Sequence, residues 1–161
     1  MIDVKVISRK EAESLKANEL PIKTAIISFY NPISPRTPKD YHKVNYCGVC
    51  DNVFYVGIHD IDIEILEDYG LTYDTYFPEA AELADFIVES IEKHHTIICQ
   101  CEYGQSRSAA CAAAIKEFYD KSGIQIFADY RYYPNQLIFN KLLEELVKHQ
   151  NHLEGSDSCS I

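Results

Sequence analysis

The chain has no apolar run approaching the ~18 residues of a membrane span, no excess of basic charge and no regular cysteine framework. Each absence removes a class of function. Lys and Arg number 15 against 25 Asp and Glu, a net charge of -10 over 161 residues. With a pI near 5.0, nucleic acid and anionic membrane are excluded as bulk partners. A local basic pocket remains compatible, because a few groups set a pocket's charge. The start, Met1-Ile-Asp-Val-Lys5, lacks a basic flank leading into an apolar stretch, so no signal peptide is expected. Six cysteines at irregular spacing do not form a secreted disulfide pattern. No repeat or low-complexity linker interrupts the sequence, and its length suits roughly one domain. With 47% hydrophobic residues it can bury a sizeable core without a staple. The expectation is a soluble cytoplasmic protein with reduced thiols, one domain over 1–154 and a frayed tail over 155–161.

What is present is an alternation of apolar runs and helical stripes. Runs at 4–8, 24–29, 53–58 and 96–100 read as strands. Ser8 is placed to cap a helix over 9–17. Residues 31–51, with Pro32, Pro35, Pro38 and Cys47-Gly-Val-Cys50, read as a long surface loop. Pro78 opens a helix to about Lys93 whose stripe is Ala80, Leu83, Ala84, Ile87 and Ile91. A further helix spans 108–119 and closes near Ser122-Gly123; the last begins at Pro134 and carries Leu137, Ile138, Leu142 and Leu146. This order predicts an α/β fold with a central, mostly parallel sheet flanked by helices on both faces.

The most informative stretch is Cys101-Glu-Tyr-Gly-Gln-Ser-Arg107-Ser108, entered from the strand at 96–100 and leaving into an alanine-rich helix. A turn in this position aims backbone N–H groups and a helix N-terminus at one spot beside a thiol. Cys101 is the candidate nucleophile, active only as thiolate, so the loop and helix must lower its pKa from the ordinary ~8.5. The N–H groups of Glu102, Tyr103, Gly104, Gln105, Ser106 and Arg107 are candidates for a phosphate cradle. Gly104 permits the backbone angles such a nest demands. Arg107 offers a planar fork for two phosphoryl oxygens. Ser108 is placed to ease the departure of sulfur. The loop would lie at the carboxyl end of a strand, where such sheets bind ligands. Cys99 and Cys111 read as small hydrophobes, with a Cys99–Cys101 disulfide as a minor alternative.

The Cys101-x5-Arg107-Ser108 spacing resembles the signature of the cysteine-dependent protein tyrosine phosphatase superfamily. The segment Tyr76-Phe-Pro-Glu-Ala-Ala-Glu-Leu-Ala-Asp-Phe86 is similar to the helix before that loop in small dual-specificity members. Tyr133-Pro-Asn135 and the final helix resemble compact bacterial members. The resemblance implies hydrolysis of phosphomonoesters, on phosphotyrosine or with dual specificity, through a phosphocysteine and with no metal or cofactor. The late position of the motif disfavours the low-molecular-weight class. Two departures stand out: Gln100 replaces a usual His and predicts a less stabilised thiolate, and Tyr103 replaces a small residue and could narrow the pocket mouth.

The resemblance also implies an upstream aspartate that protonates the leaving oxygen. In His59-Asp60-Ile61-Asp62, Asp60 is favoured, with Asp62, then Asp68 and Asp74, as alternatives. Loop closure or burial should raise the pKa of that acid. His59 either assists or caps the strand. Cys47 and Cys50 have metal or redox spacing, but a structural zinc needs four ligands and His42 and His59 are the nearest others; plain loop cysteines are the simpler reading. Tyr130-Arg-Tyr-Tyr133 either flanks the pocket or packs a helix entrance, and His94-His95 reads as a turn.

Arg107, Arg131, Arg36 and Lys39 are the few cations available near a pocket, which tilts the substrate toward phosphotyrosine or aryl phosphates. Three other readings stay open: a phosphatase of a small metabolite, nucleotide or inositol phosphate; a non-catalytic phosphate-binding module; and a rhodanese-like sulfurtransferase, whose loop is shorter. The sequence specifies no oligomeric state.

Overall fold

In the computed structural model, residues 2–158 are described, with side chains as far as 155. Strands β1 (Val4–Ile7), β2 (Thr24–Tyr30), β3 (Val53–Gly57) and β4 (Thr96–Gln100) form one sheet in the order β1-β4-β2-β3. All of its pairings are parallel. The strand ends therefore lie on one edge: Gln100 is in register with Ile7 on one side and Ser28 on the other, and Tyr30 with Gly57. Because β4 inserts between β1 and β2, the loop after it is flanked by the segments leaving both neighbours. This is the crevice at which open parallel sheets hold ligands.

One face of the sheet takes the main core. Ala25, Ile27 and Phe29 of β2 and Ile97 and Cys99 of β4 point into it, alternating with Ile26, Ile98 and Gln100 on the opposite face. Helices α2 (Ala80–Glu92), α3 (Arg107–Asp120) and α5 (Gln136–Ser158) cover that core. The expected stripe of α2 is the buried one, through Ala80, Leu83, Ala84 and Ile87. α3 is apolar all round, with every residue from Ala109 to Ile115 fully buried. Its five alanines let it sit close to the sheet and to α5 at once.

The opposite face departs from expectation. Its buried contacts come from the short α1 (Arg9–Glu13), through Ala12, and from Val44 and Tyr46 of the proline-containing loop, with Leu20 and Cys50 partly buried against them. The loop otherwise runs over the surface as expected, but these two side chains turn inward and join the core on this side.

Element ends follow local chemistry. Ser8 caps α1 in a reciprocal box with Glu11, and α1 stops at Glu13, short of the predicted 17. α3 ends with Lys121 in the left-handed region at φ 59°. Gly123 instead opens α4 (Ile124–Ala128), a helix absent from the sequence reading. A side chain at 123 would lie 2.6 Å from the Ala113 carbonyl oxygen, so glycine is needed there for close approach. α5 begins at Gln136 rather than at Pro134, and Asn135 caps it: its Oδ1 accepts from the Ile138 N–H at 2.9 Å. α5 continues to Ser158, into the stretch read as a tail, and 159–161 lie outside the described residues. Among the described residues no helix is long and apolar enough to cross a membrane.

Candidate functional site

The loop leaving β4 is held by its carbonyls. Glu102 O accepts from Arg9 N at 3.1 Å, Gln105 O from Tyr133 N at 2.8 Å and Ser106 O from Asn135 N at 3.2 Å. Arg9 adds a side-chain bond, Nε to Glu102 Oε1 at 2.8 Å, and its guanidinium also reaches Glu13 and the His42 carbonyl. Gly104 sits at φ +66°, and a Cβ there would lie 2.9 Å from the Ile7 carbonyl carbon and the Ser8 nitrogen. Both the backbone angle and the space therefore require glycine.

With the carbonyls bonded outward, N–H groups are left for the interior. Those of Ser108 and Ser106 donate to the Cys101 sulfur. The Ser108 hydroxyl lies 3.0 Å from the same atom. Cys101 is 2% exposed, and this burial is the largest single influence on its thiol, working against ionisation. The Ser108 hydroxyl, the Ser108 N–H, the Arg107 charge and the Ser106 N–H together outweigh it and hold the thiol below its ordinary value.

Arg107, the first residue of α3, is 4% exposed. Its Nη1 donates to Asn31 Oδ1 and to the Ile58 carbonyl, each at 2.8 Å. These come from the ends of β2 and β3, so the sheet edge itself aims the guanidinium. The Nε–H of Arg107 is buried with no partner among the described residues. A buried, unsatisfied donor on a charged group costs about 1–3 kcal/mol or more, and an anion beside the thiol would satisfy it.

The four candidate acids separate by position. Asp60 Oδ1 accepts from the Ser106 hydroxyl at 2.7 Å and from Asn135 Nδ2 at 3.0 Å, which ties it to the loop. Asp62 instead caps the 3₁₀ turn Ile63–Ile65, accepting from Glu64 N. Asp68 lies in the 3₁₀ turn Glu67–Tyr69, and it and Asp74 are exposed. The His59 ring lies 4.8 Å from that of Tyr69, tilted by 55°, and Arg36 packs over the same Tyr69 ring. Burial first, then the charges of Arg107 and Arg36, lower its pKa and favour the neutral ring.

Several participants escaped the sequence reading. Asn135 is buried and joins Asp60, the Ile61 carbonyl and the Tyr76 hydroxyl with its amide, while capping α5. Tyr76 in turn donates to the His59 carbonyl at 2.6 Å. Asn31 and Arg9 are the others. Asn135, just before a helical stripe, had a legible capping signal; Asn31 and Arg9 had none.

The substitution at Gln100 does not leave the loop unsupported. Gln100 Nε2 donates to the Cys101 carbonyl at 3.0 Å, and its Oε1 accepts from Ser28 and Tyr46 hydroxyls. Tyr103 stands out from the loop at 80% exposure, and Tyr133 at 73%. Cys99 and Cys111 are fully buried and hydrogen-bonded to each other. The described cysteines, Cys47, Cys50, Cys99, Cys101 and Cys111, are free thiols, and Cys50 rests on the Thr24 and Asn52 carbonyls. No three His, Cys, Asp or Glu side chains cluster to hold a metal among the described residues.

Beside the loop a groove of about 520 Å³ runs between residues 60–64 and the start of α5; Asp60 and Ser106 form its near wall.

No protein-family model matches the chain, and no curated protein matches it significantly. Solved structures do. The human tyrosine phosphatase-like serine/threonine/tyrosine-interacting protein aligns with TM-score 0.54 and 16% identity over 91% of this chain and 93% of that one. Human DUSP28 aligns with TM-score 0.53 and 15% identity, covering 92% and 94%. Tk-PTP in its active form aligns with TM-score 0.52 and 12% identity, covering 92% and 93%. The chain therefore has the α/β fold of the dual-specificity and tyrosine phosphatases over nearly its whole length.

Proposed function

We propose that this protein is a phosphomonoester hydrolase of the cysteine-dependent phosphatase type, acting on phosphotyrosine or with dual specificity through a phosphocysteine. The observation that carries the reading is the Cys101 sulfur, held 3.0 Å from the Ser108 hydroxyl and depressed in pKa, beside an Arg107 Nε–H that lacks a partner.

In the first step the Cys101 thiolate attacks phosphorus, and the bond to the leaving oxygen breaks. Asp60 transfers its proton to that oxygen. Its Oδ1 already accepts two hydrogen bonds, from Ser106 and Asn135, so the proton belongs on Oδ2. Loop N–H groups and Arg107 take the charge of the phosphoryl oxygens, which is most of what phosphoryl transfer asks of a protein. In the second step water attacks the phosphocysteine and gives a proton to Asp60. Sulfur leaves as thiolate, accepting a hydrogen bond from Ser108, and phosphate departs. Neither step calls on a metal or a cofactor.

A non-catalytic binding module is the rival, since one protein of this fold is named as an interacting protein. Binding phosphate needs the cradle and the arginine but no ionised thiol, and lowering a thiol pKa in a buried site serves nucleophilic attack. Hydrolysis of an aryl phosphate in the presence of EDTA, wild type against Cys101→Ser, separates the two. Turnover that persists under chelation and vanishes in the variant supports the enzyme. Absence of turnover by folded, reduced wild type supports the module.

A further inference from the structure

The groove beside the loop differs in charge from the phosphate cradle it adjoins. Past Asp60, its wall carries Asp62 and Glu64, and no Lys or Arg lines it. Neither of these carboxylates enters an ion pair among the described residues. Between them Ile63 is 63% exposed, and Tyr133, which also lines the groove, is 73% exposed. Gln136 and Asn140 on α5 are exposed and add amides to the lining. Of the cations nearby, Arg36 is stacked on Tyr69 and Lys43 on Tyr55 at 4.2 Å; Lys141 packs on the lining residue Tyr73 at 4.9 Å, where its ammonium is taken up by the Tyr73 and Asp74 carbonyls.

We infer that this groove is the subsite for the peptide segment flanking the phosphorylated residue, and that it selects a flank bearing Lys or Arg. The inference rests on the phosphatase reading above and deepens it. Three features point to this occupant. The groove begins at Asp60 and Ser106, so whatever lies in it is attached on the leaving-group side of the phosphate. Its unpaired carboxylates repel a second phosphate, which disfavours inositol phosphates and nucleotides whose further anions would fall there. Its exposed Ile63 and Tyr133 offer apolar and aromatic surface for the stem of a lysine or the plane of an arginine, whose charged end then meets Asp62 or Glu64.

The test is kcat/KM on matched phosphotyrosine peptides whose flanks differ only in Lys, Ala or Glu, with a flankless aryl phosphate as reference. For the wild type in low salt, Lys flanks are expected to exceed Glu flanks by about tenfold, and the ratio to shrink as salt screens the charges. Asp62→Asn with Glu64→Gln, which keeps the capping oxygen at 62, is expected to bring the ratio close to one. Asn140→Lys, at an exposed position of α5, is expected to lower it independently. Equal rates on Lys and Glu flanks with the aryl phosphate turned over would overturn this inference alone. Faster turnover of an inositol phosphate than of any peptide would overturn it in favour of a metabolite. Loss of aryl phosphate turnover itself would remove the phosphatase reading and this one with it.

Discussion

Gln100 turns its amide back onto its own neighbour, donating through Nε2 to the carbonyl oxygen of Cys101 at 3.0 Å. The resemblance to known phosphatases places a histidine here, and its absence predicts a weaker thiolate. The amide nevertheless gives the first residue of the loop a buried anchor. Its Oε1 is fixed by Tyr46 and Ser28, so β2, the loop and Cys101 form one buried polar cluster. Gln100→Leu fits the volume but strands those hydroxyls. Stability is expected to fall by about 1–3 kcal/mol, the cost of a buried unsatisfied group, measured by urea unfolding. The thiolate titration midpoint should move up, because the loop loses an anchor.

Ser108 is the group that most favours the ionised sulfur. Ser108→Ala is expected to raise the pKa of Cys101, read from alkylation rate against pH. The sign of the stability effect follows from linkage. A thiol whose folded pKa lies below its unfolded one, about 8.5, stabilises the fold above that unfolded value and loses the contribution as pH falls through the folded value. The stability gap between wild type and Ser108→Ala should therefore be wider above about pH 9 than in mild acid. An equal gap at both ends would mean that Ser108 acts only by packing.

Asp60 is expected to matter in proportion to how poor the leaving group is. Asp60→Ala should cut turnover of alkyl and tyrosyl esters by about 10²–10⁴-fold, the usual range for a general acid, and that of esters with good leaving groups much less. Asp62→Asn should show no such dependence, since Asp62 caps a turn. If Asp62→Asn gives the leaving-group signature and Asp60→Ala does not, the roles are reversed.

Gly104 offers a steric test of the cradle. Gly104→Ala puts a Cβ 2.9 Å from the backbone of Ile7 and Ser8 at a φ of +66°. The strain of such a backbone costs about 1–3 kcal/mol, and relief comes only by moving the loop. Affinity for a phosphate-mimicking oxyanion such as vanadate should fall, while far-ultraviolet circular dichroism stays that of the folded chain. Unchanged oxyanion affinity would mean that the cradle lies elsewhere.

The loop was legible because its determinants are local: a strand, a glycine turn and a helix lie within a short stretch around Cys101. The strands were legible as compact apolar runs. α4 was not, because Ile124-Gln-Ile-Phe-Ala128 is too short to display a helical period. The burial of Val44 and Tyr46 was hidden for a related reason, since a proline-containing loop carries no periodicity to mark an inward face. Asn135, Asn31 and Arg9 act through partners far along the chain: Asp60, Arg107 and Glu102 respectively. Such pairings exist only once the parallel sheet has brought its carboxyl edge together. Asp60 could be preferred over Asp62 from its place after β3, but only the bond to Ser106 ties it to the loop.

The central claim is that sulfur of Cys101 carries the phosphoryl group between two half-reactions. The most direct measurement is mass spectrometry of wild type quenched in acid during turnover of an aryl phosphate. The account predicts one added phosphoryl group on the peptide containing Cys101, absent in Cys101→Ser and decaying when substrate is exhausted. An enzyme that turns over while no phosphoryl group is found on Cys101, or while one is found on another residue, would contradict it.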